Sequence, residues 1–204
     1  MNRPRLICAL CAVLFTLLTA SANARLEGRL PLTPGGTDYQ AAYDTALDIT
    51  WTTDAALSGV NSWDSQVAWA DSLNYLGFDD WRLASMSVAG RLPPGTAASV
   101  VDCSTTSEED CRDNELGYMF YQNLGGMSGD DLTGNPVVDA VDLMNVQSSY
   151  WSDTEFVSDL VWGFSFNGGG QDLDPKFSLN YGWAVRVGDV AAEPEPPMLR
   201  PTQE

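Results

Sequence analysis

The chain has 204 residues, with 28 acidic side chains against 10 basic ones, no histidine and a formal charge of −18 at neutral pH. So acidic a protein is repelled by nucleic acid and by anionic membrane surfaces, and without histidine it can build neither a Ser-His-Asp nor a Cys-His catalytic arrangement. Its length and its 44% hydrophobic content suit a single domain with a sizeable core.

Residues 1–24 have the pattern of a signal peptide. Arg3 and Arg5 precede an apolar run from Leu6 to Leu18, which is short for a bilayer span, and Ala22-Asn23-Ala24 supplies a small-residue cleavage site. The expectation is cleavage after Ala24 and a secreted or periplasmic protein with no membrane attachment once the signal is removed. Cys8 and Cys11 leave with that segment. Cys103 and Cys111 remain, and one pair in an exported chain reads as a disulfide rather than a zinc site, which needs three or four Cys or His ligands.

Residues 25–42 read as an irregular lead-in and residues 43–189 as the folded domain. Leu47, Ile49 and Trp51 alternate with polar residues, the period of a strand. Trp63, Val67, Ala70, Leu73 and Leu76 follow at helical spacing, with Ser62 as cap and Gly77 as stop. Residues 86–113 read as a long surface excursion tied by the disulfide. Leu116, Phe120 and Leu124 predict a second, shorter helix, capped at Asp113 or Asn114 and ended by Gly125. Trp162, Phe164 and Phe166 alternate before the turn signal Asn167-Gly168-Gly169-Gly170. Tyr181, Trp183, Val185 and Val187 alternate along a last strand. Two helices early and paired strands late predict an α+β domain with a small twisted antiparallel sheet and long loops. Residues 190–204, rich in Pro and Glu, predict a disordered tail.

Three blocks join an aromatic ring to a charge: Asp80-Trp81-Arg82-Leu83, Tyr150-Trp151-Ser152-Asp153-Thr154-Glu155 and Gly182-Trp183-Ala184-Val185-Arg186. In this order and spacing, from about Tyr43 to Gly188, the chain resembles the Lcl C-terminal domain family of secreted bacterial surface proteins. That resemblance implies a C-type-lectin-like architecture and a role in extracellular binding or adhesion. It implies partners among extracellular glycans or surface proteins. The net charge argues against carrying over the sulfated glycans linked to the family's namesake. Pro194-Glu195-Pro196 resembles the start of a PEP-CTERM sorting signal, although no apolar helix or basic cluster follows it here.

Trp81, Trp151 and Trp183 within the blocks, and Trp162 outside them, could stack on sugar rings, but their place on strand patterns favours a core role. Arg82 and Arg186 read as fork-shaped donors to a carboxylate, with Glu155 or Asp153 as the expected partner. Trp81, Arg82, Trp151, Glu155, Trp183 and Arg186 are thus expected to be structural. The acidic loops raise calcium as the one cofactor to consider, with Asp130, Asp131, Asp153, Asp172 and Asp174 as candidate oxygen ligands, against a plain solvated acidic surface. No catalytic residue is assigned. A two-carboxylate glycan hydrolase using Glu155, and a purely structural matrix component, are the alternatives to a binding domain.

Overall fold

The computed structural model describes residues 25–86 and 100–191. The expected signal segment, the middle of the 86–113 excursion and nearly all of the tail lie outside them. The described chain is mostly strand, 40% against 14% helix, and forms three sheets, one of them curled into a half-barrel. This overturns the expected two-helix, C-type-lectin-like α+β layout. The helical signals are local and short, whereas the strands build extended hairpins that a few long-range pairings join into sheets.

The strands in chain order are β1 (Leu26–Pro31), β2 (Tyr39–Asp44), β3 (Ile49–Thr52), β4 (Val60–Asn61), β5 (Arg82–Leu83), β6 (Val137–Val138), β7 (Val141–Asp142), β8 (Ser149–Val157), β9 (Leu160–Ser165), β10 (Gln171–Pro175), β11 (Asn180–Gly182) and β12 (Ala184–Val187). The helices are α1 (Trp63–Asp71), α2 (Glu108–Cys111) and α3 (Glu115–Tyr118), the last running on into a π-helical turn, Met119–Asn123. The first sheet has the order β1-β2-β3-β12-β5 and the second the order β10-β9-β8-β11-β4, while β6 and β7 form a separate ribbon. All pairings are antiparallel except that of β11 with β8.

Residues 25–42 are not an irregular lead-in, since they supply β1 and most of β2. The β2–β3 hairpin is turned by Asp44, whose buried Oδ1 accepts from the backbone N–H groups of Ala46 and Leu47 at 2.9 and 3.0 Å. Ser62 does precede α1, but the helix stops at Asp71, short of Leu73 and Leu76. Ser72 Oγ turns back onto the Ala68 carbonyl at 2.8 Å, a contact that competes with continuing the helix. Asn114 caps α3 by accepting from Gly117 N at 2.8 Å. Cys103 and Cys111 are bonded, and the bond ties the end of α2 to Cys103, eight residues earlier within the 86–113 excursion.

The last alternating segment is not one strand. Residues 180–182 pair in the second sheet and residues 184–187 in the first, and Trp183 sits at the crossing. The Trp183 ring packs on Trp51, Tyr150 and Phe166 with centroids 5.0, 5.3 and 5.6 Å away, and its Nε1 donates to the Thr52 carbonyl at 2.8 Å. Gly182 is required just before it, because a Cβ there would lie 2.7 Å from Leu83 Cδ2 and 3.0 Å from Gln66 Oε1. The main core lies between the sheets and holds Leu26, Ile49, Trp51, Phe120, Tyr150, Phe166 and Trp183. Period-two alternation turns Trp151 to the other face of β8, where Leu83, Val161 and Ala70 form a second core beneath α1. Gln66 fastens α1 in place by donating to the carbonyls of Gly59 and Asn180 at 2.7 and 2.9 Å.

Candidate functional site

The aromatic-and-charge motifs are sealed into the fold. Trp81, Trp151 and Trp183 are 2%, 0% and 0% exposed, so none presents a face to a ligand. Trp162 is partly buried and packs edge-on against Phe156, with centroids 5.7 Å apart. Both arginines are paired as expected in kind, but with other partners. Arg82 grips Glu115, donating from Nη1 to Oε2 at 2.7 Å and from Nη2 to Oε1 at 2.6 Å. The same Oε2 also accepts from Ser85 N at 2.6 Å. Burial works against the charge on Arg82, yet the charge and hydrogen bonds of Glu115 outweigh it and hold the guanidinium protonated. Asp153 adds a smaller electrostatic contribution of the same sign. Arg186 grips Asp80, from Nε at 2.7 Å and Nη2 at 3.0 Å, and lies 4.1 Å over the Phe78 ring. Its hydrogen bonds hold the Asp80 carboxyl below the usual carboxylate range. Glu155, the expected arginine partner, is instead exposed beyond a β-bulge in β8 and pairs with Lys176 at 2.7 Å.

The five aspartates suggested for calcium do not converge. Asp130 and Asp131 occupy the loop before β6, where they accept from Met127 N and Thr133 N. Asp131 is thereby held below the usual carboxylate range, chiefly by the Thr133 hydroxyl at 2.7 Å. Asp153 lies in β8 beside Arg82. Asp172 and Asp174 share one face of β10, and Asp174 accepts from Asn180 Nδ2 at 3.3 Å. Among the described residues there is no group of three or more His, Cys, Asp or Glu side chains placed to hold a metal ion.

A different region has the shape of a site. The turn joining β8 to β9, the N-terminal end of α1 and the turn after β10 meet around a groove of about 640 Å³, lined by Ser62, Asp64, Ser158, Asp159, Lys176 and Phe177. Its volume lies within the ~300–1,000 Å³ common for ligand sites. Backbone hydrogen bonds fix its walls: Trp63 N donates to the Lys176 carbonyl at 3.0 Å and Lys176 N to the Asp159 carbonyl at 3.1 Å. The Phe177 ring is 82% exposed on this wall. Leu179 and Phe156, on the neighbouring segments, are exposed as well. The ammonium of Lys176 is held between Glu155 and the Trp63 ring, 4.4 Å from the ring centroid. Trp63 in turn donates from Nε1 to the Ser152 carbonyl at 2.8 Å. It also borders a smaller pocket of about 240 Å³ with Val67, Asp71, Arg82, Leu83 and Asp153.

Chemically, the groove offers an apolar ring, two hydroxyls, two carboxylates that only accept hydrogen bonds, and one ammonium already neutralised. None of its residues except Ser62, noted as a helix cap, was singled out in the sequence. Two signals were available. Lys176 is the chain's only lysine, and Phe177 is a lone aromatic in the polar turn Asp174-Pro175-Lys176-Phe177-Ser178. Comparison with known protein families gives no match. Comparison with curated proteins gives none either. Among the described residues, no helix is long and apolar enough to cross a membrane.

Proposed function

We propose that this chain is an extracellular binding domain that takes a glycan in the groove between the β8–β9 turn, the start of α1 and the turn after β10. The observation that carries this reading is Phe177, an aromatic ring 82% exposed on the wall of a groove otherwise lined by hydroxyls, carboxylates and one ammonium. A Phe left in water forgoes about 1.5–3 kcal/mol of burial. A sugar ring meets that surface on its own terms: its C–H face covers the aromatic, and its hydroxyls donate to Asp64 and Asp159. The Cys103–Cys111 bond supports an oxidising, extracytoplasmic setting, in line with the signal-peptide pattern. The resemblance to an adhesin-associated family supports adhesion over turnover, by analogy alone.

The test is a glycan array probed with the mature protein and with Phe177→Ala. Selective retention of one glycan class without released sugar is expected, weakened at least tenfold by Phe177→Ala. Because Phe177 is so exposed, the variant should melt within about 0.5 kcal/mol of the parent. A blank array from folded protein, or binding indifferent to Phe177→Ala, would overturn the proposal.

A further inference from the structure

We infer that the sugar taken by this groove carries free, protonated amines, so that the ligand is an N-deacetylated amino-sugar chain rather than a neutral or acidic one; this rests on the glycan reading above. The groove is an acidic place in an acidic protein. Asp64 and Asp159 line it and Glu155 flanks it, while its one ammonium, on Lys176, is already bound to Glu155 at 2.7 Å. Three carboxylates against one ammonium leave the locality negative, within a chain of formal charge −18. A sulfate or uronate would enter against that field. A neutral sugar would use the carboxylates only as ordinary acceptors. A protonated amine makes the stronger, charge-assisted hydrogen bond and is drawn toward the groove from a distance.

The protein itself shows what this kind of surface holds. Lys176 places its ammonium against an aromatic face, 4.4 Å from the Trp63 centroid, with a carboxylate as counter-ion. That cradle is filled from within the chain. Phe177 with Asp64 and Asp159 offers the same pair of chemistries on the wall of the same groove, with the ring exposed to solvent. An amino sugar matches both parts at once, ring face to Phe177 and amine to carboxylate. A linear polyamine matches only the second.

Calorimetric titration at low salt separates these cases, using the β-1,4-linked glucosamine trimer, its fully N-acetylated counterpart and spermidine, a trication without sugar rings. The glucosamine trimer is expected to bind at least tenfold more tightly than either, with an advantage that shrinks as salt is added. Asp64→Asn combined with Asp159→Asn should abolish the preference, bringing the glucosamine trimer down to the affinity of its N-acetylated counterpart in the same variant. Both side chains are exposed, so the double variant should keep its melting temperature. Equal binding of the two trimers would overturn the amine inference and leave the glycan reading standing. Spermidine binding as tightly as the glucosamine trimer would reduce the effect to bulk charge and overturn it too. No binding of the glucosamine trimer while another glycan is retained on the array would overturn the inference alone. Failure of both trimers together with a blank array would remove the glycan reading itself.

Discussion

Arg82 and Arg186 lie on adjacent strands, β5 and β12, and each makes a two-pronged contact with a carboxylate, Arg82 through Nη1 and Nη2 and Arg186 through Nε and Nη2. Their surroundings differ. Arg82 pairs in register with Val185, on the core side of the sheet, and its partner Glu115 is 1% exposed. Arg186, one residue further along β12, points to the opposite face, where its partner Asp80 is 53% exposed. Two forked contacts thus serve two purposes. At the first pair it is the carboxylate that is sealed off, so Glu115 depends on Arg82 and Ser85 N because water cannot replace them, although the Arg82 side chain itself is 23% exposed. At the wet site water competes with both, and the pair contributes little.

Four changes probe that contrast. Glu115→Ala takes away the two-pronged partner of the Arg82 guanidinium, leaving it only the weaker field of Asp153, and leaves Ser85 N without its carboxylate acceptor. It should cost about 3–5 kcal/mol in denaturant unfolding. A loss below ~1 kcal/mol would erase the distinction between the two pairs. Cys103→Ser should come next, at about 2–3 kcal/mol, since the bond closes a short loop leading into the segment that carries Glu115. The cysteines are eight residues apart, and after cleavage at Glu108 or Glu109 the two peptides that bear them should stay joined until reduced. Smallest is Arg186→Ala, at about 1 kcal/mol or less. Its effect should depend on pH in a defined direction. The Asp80 carboxyl titrates lower when folded than when unfolded, so its contribution is complete above the unfolded value near 4 and is lost as pH falls through the depressed folded value. The melting difference between the parent and Asp80→Asn should therefore hold steady from about pH 5 to 7 and close below about pH 4.

What the sequence disclosed depended on distance along the chain. The Asn114 cap, the start of α1 and the strand at Ile49 rest on neighbouring residues and were legible. The disulfide was legible by elimination, once Cys8 and Cys11 were assigned to the signal segment. Glu115 was not legible as the partner of Arg82, because 33 residues separate them and the carboxylate stands at the start of a four-residue helix. Glu155 looked more suitable beside the Trp151 block, but the bulge in β8 turns it outward. The sheet change at Trp183 was hidden for a different reason: side-chain alternation continues unbroken through it and says nothing about which neighbour the backbone bonds. Strands of two or three residues, such as β4, β5 and β11, are too short to show a period at all. That deficit let two visible helices suggest an α+β layout for a chain that is mostly strand.

The crossing at Trp183 also sets the order in which this chain can take shape. β11 is an interior strand of the second sheet, and β12 an interior strand of the first, yet both lie within residues 180–187. A growing chain made from its N-terminus has β1, β2 and β3 early and β8, β9 and β10 later, but each of those blocks ends in an unpaired edge. Neither β4 nor β5 has a neighbour to bond until those last strands arrive. One short stretch, residues 180–187, therefore closes both sheets together. Removing those few residues strips an interior strand from both sheets at once and leaves β4 and β5 without a neighbour.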